Sequence, residues 1–190
     1  MSAQSSTHHS FVFVPESEYL PVKNELIKLI EQVQKAIEGT LKFSYEFLGS
    51  ASRDMITKDT KGNKGYDFDL DIIIDPSKTN SDPHSLKDYL RHQFDQYVKQ
   101  YGYDFCEDST SVFTIKNKRN SQIIHSADFA IVREFNGVKQ LIINHKGRNT
   151  YTWDTFPKYP EKLSIMAQWC KDHNLWEEVK KRYLQKKNEN

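Results

Sequence analysis

The chain is poor in cysteine and has no long hydrophobic run. Its two cysteines, Cys106 and Cys170, are too few for a disulfide framework, and neither has a partner at a spacing typical of zinc sites. No apolar stretch approaches the ~20 residues that span a bilayer, and residues 1–10 lack the basic and apolar regions of a signal peptide. We therefore expect a cytoplasmic protein that does not enter a membrane.

An excess of charge of either sign is also missing. The 27 basic and 26 acidic residues give a net charge of +1, so overall charge predicts no polyanionic partner, and any contact with nucleic acid has to be local. With 190 residues the chain is long enough to bury a core without disulfides or structural metals. These values predict a single domain at residues 11–190, preceded by a polar, disordered tail at 1–10.

Hydrophobic periodicity predicts an α/β (α+β) domain in which helices flank a central mixed β-sheet, with a short C-terminal helical segment from about residue 160. The predicted helices are 21–39, 83–101, 160–173 and one that begins after Asn174. The predicted strands are 44–48, 66–74, 111–115, 123–132 and 138–143. Asn136-Gly137 joins the last two strands, because this pair is typical of hairpin turns. Ala51 is expected to begin a helix that gives way to a loop ending at Gly65.

Capping signals and apolar stripes support the helices. Ser81 or Asp82 is expected to cap the second helix, which has a proline in its first turn, and Asn174 with Glu177 forms a capping box for the last helix. From Gln185 onwards we expect a polar tail. The first helix is expected to bury Leu26, Ile30, Val33 and Ile37, and the third Leu163, Met166, Ala167 and Cys170.

Aspartate at every second position of the strand at 66–74 is the oddest feature of the chain. Asp67, Asp69 and Asp71 lie on one face, because side chains alternate along a strand. At ~4 Å and an effective dielectric constant of ~20, each like-charge pair costs about 4 kcal/mol. The strand therefore needs either full solvation or a compensating cation. Magnesium, which takes hard oxygen ligands, is the natural candidate.

These aspartates have two other interpretations. A calcium-binding EF-hand loop is disfavoured, because its sixth position is Ile72 instead of glycine and its twelfth is Lys78 instead of glutamate. A solvated edge strand, whose charges prevent edge-to-edge pairing, stays open when the strand is considered alone.

Residues on either side of this strand favour a nucleotide site. Gly49-Ser50 follows a strand, and glycine allows a phosphate to approach the backbone while serine and a helix N-terminus donate hydrogen bonds. Asp128 interrupts an apolar strand, where an aspartate is costly unless it is paired or binds a metal. The alternatives for Asp128 are a residue at a strand end or an ion pair with Arg133 or with a lysine.

Together these residues resemble the polymerase-β nucleotidyltransferase superfamily. The resemblance is carried by Gly49-Ser50, by Asp69-Leu70-Asp71 with the apolar run that follows, and by Asp128-Phe129-Ala130. The helix before Gly49 and the segment Trp153-Asp154-Thr155-Phe156-Pro157 are most similar to the branch of oligoadenylate synthetases and cyclic-oligonucleotide synthases. The gap between Ser50 and Asp69 is longer than the family pattern, and the chain ends soon after the sheet.

The resemblance implies a site in which a Gly-Ser turn holds a triphosphate and aspartates bind two Mg²⁺ or Mn²⁺ ions. The expected metal ligands are Asp67, Asp69, Asp71 and Asp128, with Asp69, Asp71 and Asp128 as the catalytic residues. The expected nucleotide-binding residues are Gly49, Ser50, Arg53 and Lys64. The Asp69/Asp71 pair is favoured because an uninterrupted apolar run follows it, and the Asp67/Asp69 pair stays open.

The implied activity is transfer of a nucleoside monophosphate from a nucleoside triphosphate to an acceptor hydroxyl by a two-metal mechanism. The acceptor is left open among a nucleotide, an RNA end, a protein side chain and a small molecule. Two alternatives remain: an inactive nucleotide-binding module, for example one subunit of a two-protein system, and an α/β interaction domain without a nucleotide site. The short C-terminal segment motivates the possible partner subunit.

Overall fold

The structure is a computed structural model and describes residues 9–75, 82–148, 150–155 and 162–189, with the backbone alone at 162–164. Its strands are β1 (Phe11–Phe13), β2 (Phe43–Phe47), β3 (Thr57–Asp59), β4 (Tyr66–Ile74), β5 (Glu107–Asp108), β6 (Val112–Arg119), β7 (Gln122–Phe135), β8 (Val138–His145) and β9 (Thr150–Thr155). Its helices are α1 (Glu16–Ile37), α2 (Pro83–Asp95), α3 (Lys162–Asp172) and α4 (Trp176–Glu189), and a 3₁₀ turn at Val98–Tyr101 follows α2.

A mixed sheet of seven strands forms the centre of the molecule, as the sequence predicts. Its order is β2-β4-β7-β6-β5, and β8 and β9 extend it from the end of β7. The pair β4–β7 is parallel, and the other pairs are antiparallel. β1 and β3 form a separate two-stranded sheet.

The hydrophobic core lies between one face of this sheet and the helices α1 and α2. The predicted stripe of α1 is at most 2% exposed, which confirms it. On β4 the core side chains are Tyr66, Phe68, Leu70, Ile72 and Ile74, and they pack with Phe113, Phe129 and Ile131 of the neighbouring strands. The alternation of β4 therefore turns its aspartates to the opposite face.

The segment after Gly49 is not a helix, contrary to the prediction from the sequence. Residues 49–54 form a single turn, and the chain then enters β3. Asp54 has a φ of 55°, which a continuing right-handed helix does not allow. The helix α1, in turn, begins five residues before Pro21 and contains this proline.

The C-terminal helices differ most from the expectation. Met166 is 60% exposed and Cys170 is half-buried, so α3 does not bury the predicted stripe, whose Leu163 side chain lies outside the described residues. Asn174 has a φ of 57° and ends α3 instead of capping α4. Amide donation from Leu175 to the Cys170 carbonyl and from Asn174 to the Lys171 carbonyl forms a Schellman motif.

Described residues near both ends of the chain form structure that the sequence does not predict. The predicted polar tail from Gln185 is helical to Glu189. Of the predicted disordered tail, residues 1–8 lie outside the described residues, and His9 and Ser10 hydrogen-bond to Asp59. The predicted turn at 76–82 is described at Asp82 alone, which caps α2 by accepting from the Ser85 amide. No helix in the described ranges is long and apolar enough to cross a membrane.

Candidate active site

Four aspartates lie on the sheet face that points away from the core. Asp67, Asp69 and Asp71 alternate with core residues along β4. The parallel register of β7 sets Asp128 directly beside Asp69, Ser126 beside Asp67 and Ala130 beside Asp71. The carboxylates of Asp69 and Asp128 therefore face each other on adjacent strands, and Asp67 lies two residues from Asp69 along β4.

Electrostatic repulsion links three of these carboxylates. Burial raises the pKa of Asp69, and the charges of Asp67 and Asp128 raise it further. Burial also raises the pKa of Asp128, where a hydrogen bond from Thr114 lowers it and the charge of Asp67 raises it. Asp67, Asp69 and Asp128 thus form an acidic cluster that a cation would stabilise.

Asp71 is bound differently from the other three. Its side chain is fully buried, and Lys139 of β8 donates a hydrogen bond of 2.5 Å from Nζ to its Oδ2. The other oxygen, Oδ1, is buried without a hydrogen-bond partner among the described residues. Lys139 therefore neutralises the charge of Asp71, whereas no lysine ammonium contacts Asp69 or Asp128 in the described part of the chain.

The turn at Gly49-Ser50 packs directly against Asp69. The amide of Leu48 donates to the main-chain carbonyl of Asp69 at 2.8 Å. Gly49 has a φ of 57°, and a Cβ atom at this position would clash with the carboxylate of Asp69. The sequence at this turn therefore needs glycine for two reasons, its backbone conformation and the closeness of the carboxylate.

Two side chains of α1 form hydrogen bonds with this turn. The hydroxyl of Tyr19 donates to Asp54 at 3.2 Å, and the ammonium of Lys23 lies 3.4 Å from the carbonyl oxygen of Ala51. Within the turn, the amides of Ser52 and Met55 already donate to main-chain carbonyls. A phosphate would therefore meet the first residues of the turn and not a long helix N-terminus.

The cations predicted to bind a nucleotide are solvent-exposed. Arg53 and Lys64 are exposed on the segment between β2 and β4, and Lys58 pairs with Glu18 of α1 at 2.8 Å. The sequence did not indicate Lys187 of α4, whose charge lowers the pKa of Asp69. Its Nζ donates to the buried hydroxyl of Thr57 at 2.7 Å. Nothing in the local sequence distinguishes this lysine from the other lysines of α4.

The donor set suits a hard divalent cation such as Mg²⁺ or Mn²⁺. It consists of carboxylates, and burial followed by the charges of neighbouring aspartates raises the pKa of Asp69 and of Asp128. In the ranges that the structure describes, no three histidine, cysteine, aspartate or glutamate side chains are arranged to hold a metal ion as they stand.

The chain matches no protein family by its sequence profile and no curated protein by its sequence. It is similar in structure to the CD-NTase CdnG of Bradyrhizobium diazoefficiens in complex with GTP, with a TM-score of 0.52 and 17% identity over 81% of this chain and 41% of that chain. It is also similar to the Vibrio cholerae DncV cyclic AMP-GMP synthase in complex with the linear intermediate 5′ pppA(3′,5′)pG, with a TM-score of 0.55 and 14% identity over 86% and 57% of the two chains.

The likeness to these two structures concerns the fold. The chain spans 41% and 57% of their lengths, and at this level of identity single residues do not correspond reliably enough to transfer roles. The central mixed sheet, the flanking helices and the order of the elements agree with the resemblance found in the sequence. The chain has a nucleotidyltransferase-like fold similar to that of the CD-NTases.

Proposed function

We propose that the protein is a metal-dependent nucleotidyltransferase that moves a nucleoside monophosphate from a nucleoside triphosphate to an acceptor hydroxyl. The observation that carries the proposal is the acidic cluster of Asp67, Asp69 and Asp128, with the Gly49-Ser50 turn against its central member. A carboxylate cluster beside a turn that accepts phosphate is what two-metal phosphoryl transfer requires.

We propose Asp67 and Asp69 as the metal-binding pair on β4, in preference to Asp69 and Asp71. The charges of Asp67 and Asp128 both act on Asp69, which supports a shared cation between these three side chains. Asp71 is buried and its charge is compensated by Lys139, so a metal would have to displace an existing ion pair. The apolar run that favoured Asp71 in the sequence is explained by the core packing of the strand.

Each residue then has a role in the reaction. Bound Mg²⁺ or Mn²⁺ neutralises the triphosphate and lowers the pKa of the acceptor hydroxyl. Asp67 and Asp69 would hold the ions that bind the donor triphosphate, while Ser50 and the first amides of the turn would orient its terminal phosphates. Asp128 is suited to accept the proton of the acceptor hydroxyl, because its raised pKa makes it a stronger base than an ordinary aspartate.

A nucleotide is the acceptor that we favour, since the similar structures contain GTP and a linear dinucleotide intermediate. We further propose a cytoplasmic location, which suits an NTP substrate and two free cysteines. The chain spans only part of those two proteins, which motivates a second candidate: a nucleotide-binding module that lacks turnover, or one subunit of a two-protein system.

The experiment compares three variants of one strand face, Asp67→Asn, Asp69→Asn and Asp71→Asn, with the unaltered protein. We would measure Mn²⁺-dependent NTP binding by calorimetry and pyrophosphate release from each of the four NTPs, supplied singly and in pairs. We expect Asp67→Asn and Asp69→Asn to lose both activities. Asp71→Asn is the matched control, and we expect it to retain NTP binding with a lower Tm.

The outcomes separate the alternatives. Loss of binding in Asp71→Asn with retention in Asp67→Asn would restore the Asp69/Asp71 pair. Binding without pyrophosphate release under any combination of NTPs would favour the nucleotide-binding module. If the unaltered protein binds neither metal nor NTP, the proposal is wrong and an interaction domain is favoured.

A further inference from the structure

Asp128 is held from the side opposite to Asp69 by a neutral side chain. β6 and β7 are antiparallel, and their register pairs Thr114 directly with Asp128. The Thr114 hydroxyl donates to Oδ1 of Asp128 at 2.5 Å. Asp128 therefore lies between a carboxylate on one neighbouring strand and a hydroxyl on the other.

The chemical type of this partner separates Asp128 from Asp71. Asp71 is held by an ammonium group, which cancels its charge. Thr114 fixes one oxygen of Asp128 and adds no charge beside Asp69. The nearest lysine along β6, Lys116, faces Ser126 in the register and forms an ion pair with Glu107. Thr114 thus orients Asp128 without neutralising it, while the charge of Lys116 acts on Asp128 without an ion pair between the two.

A cross-strand Thr–Asp pair also stabilises a sheet, which is the simpler account of this hydrogen bond. Two features argue for more than that. The pair sits at the position of β7 where Asp128 lies directly beside the carboxylate of Asp69 on β4. The bond also engages Oδ1 alone, which leaves Oδ2 without a side-chain donor in the described part of the chain.

We propose that Thr114 is a positioning residue for the metal site, an inference that rests on the proposed function. Its hydroxyl holds Oδ1 and leaves Oδ2 of Asp128 for the divalent cation that Asp67 and Asp69 share. Groups that orient a metal ligand in this way typically change metal affinity by about 10- to 100-fold when they are removed.

The test measures Mn²⁺ binding to the metal-free protein by electron paramagnetic resonance, with no nucleotide present. Thr114→Val keeps the shape of the side chain and removes the hydroxyl, and Thr114→Ser restores the hydroxyl. Thr150→Val makes the same change on β9, where the threonine is exposed, and serves as the matched control. Asp128→Asn, alone and combined with Thr114→Val, shows whether Thr114 acts through Asp128.

We expect Thr114→Val to weaken Mn²⁺ binding about tenfold, Thr114→Ser to bind within about threefold of the unaltered protein, and Thr150→Val to bind normally. Adding Thr114→Val to Asp128→Asn should cause no further loss, because the carboxylate that it positions is already gone. A sheet-stabilising role would change Tm in both backgrounds and leave the affinity intact.

Normal Mn²⁺ binding by Thr114→Val would overturn the inference and leave the proposed function standing. The inference would also be overturned if Thr114→Val lowered the Mn²⁺ affinity equally in the unaltered protein and in Asp128→Asn. Failure of the unaltered protein to bind Mn²⁺ at all would reject both this inference and the metal-dependent function on which it rests.

Discussion

At the scale of single residues, the closest link between the turn and the carboxylates is the contact of Gly49 with Asp69. Any side chain at position 49 has to displace the carboxylate, and it also has to adopt a left-handed backbone conformation. The first effect acts on the site and the second on the stability of the fold. The two effects can be separated because the chain contains a second left-handed glycine, Gly137, where an added Cβ atom would meet nothing within 4 Å.

We expect Gly49→Ala to lose metal-dependent NTP binding, and Gly137→Ala to retain it. Both variants should lose about 1 kcal/mol of unfolding free energy from the strained φ, with an additional loss in Gly49→Ala from the displaced side chain. Urea unfolding and calorimetric NTP titration measure the two quantities. Equal NTP affinities in the two variants would mean that the closeness of Gly49 to Asp69 has no role in binding.

A buried histidine should make the stability depend on pH. His125 lies between the rings of Tyr66 and Tyr103, and burial lowers its pKa from 6.5 to about 4. Its Nδ1 has no hydrogen-bond partner in the described part of the chain. Because the folded pKa is below the unfolded one, the unfolded chain binds the extra proton first as the pH falls. The folded protein therefore loses stability between pH 6.5 and pH 4.

We expect this loss to reach about 3 kcal/mol at pH 4. Carboxylates with lowered pKa values, such as Asp108, also destabilise the protein as they are protonated, so the contribution of His125 is obtained by difference. His125→Phe removes the titrating group and keeps an aromatic ring between the two tyrosines. Urea unfolding at several pH values should give a shallower profile for His125→Phe. Parallel profiles would show that the pKa of His125 is the same in the folded and unfolded states.

At the scale of elements, the sequence predicted those segments in which a pattern repeats often enough to be recognised. α1 shows four apolar positions at helical spacing, and β4 alternates over its first seven residues. β1 and β3 have three residues each and β5 has two, which is too short for a period. These short strands form because they pair with residues distant in the chain; for example, Phe11 of β1 pairs with Asp59 of β3. The turn after Gly49 was mistaken for a helix because its first residues satisfy the same local signals.

The sequence predicted a buried apolar stripe on α3, but the large apolar side chains that the structure describes on this helix are exposed. Ile165, Met166 and Trp169 are at least 52% exposed. Periodicity states which side chains share a face, and it does not state whether another element packs there.

A buried ion pair connects α2 to the strands at the far end of the sheet. Lys87 of α2 is 1% exposed, and its Nζ lies 2.8 Å from Asp108 of β5 and donates to the Ser109 carbonyl. Asp108 also accepts hydrogen bonds from Asn144 of β8 and Tyr151 of β9. Four elements are thus joined through one carboxylate.

Removing the ammonium should leave this carboxylate without its charged partner. We expect Lys87→Met to destabilise the fold by about 3 kcal/mol, and the double variant Lys87→Met/Asp108→Asn to be more stable than the sum of the single changes predicts. Urea unfolding measures all four proteins. Additive losses would mean that the two side chains stabilise the fold independently.

At the scale of the whole molecule, the site combines residues that no local pattern relates. Alternation along β4 predicted one face of aspartates, but the choice between Asp67 and Asp71 depends on the register of β7 and on Lys139, which is 68 residues from Asp71 in the chain. Thr114 became visible once β6 was aligned with β7. The sequence therefore placed the aspartates of β4 on one face, while the partners that distinguish one carboxylate from another required the tertiary structure.

The first strand and the last helix of the described residues, β1 and α4, contact each other near the acidic cluster. The side-chain amide of Asn188 in α4 accepts from the Phe11 amide at 2.6 Å and donates to the Phe11 carbonyl at 3.1 Å, so it continues the pairing of β1. Lys187 lies over the ring of Phe11 and reaches Thr57 on the neighbouring strand. The helix α4 thereby supplies a positive charge near Asp69 in the absence of a metal.

The positive charge of Lys187 should stabilise the fold most in protein that has been freed of divalent cations. We expect Lys187→Gln to lower the Tm of the metal-free protein by about 2–4 °C, which corresponds to about 1 kcal/mol for a chain of this size, because Asp69 loses a favourable charge and Thr57 a hydrogen-bond donor. Lys186→Gln, the adjacent change at a position that pairs with Glu189, is the control. Mn²⁺ should narrow the difference in Tm between the two variants, since the bound cation replaces the missing charge. If Mn²⁺ leaves the difference in Tm between the two variants unchanged, Lys187 stabilises the contact between β1 and α4 and does not offset the negative charge of the acidic cluster.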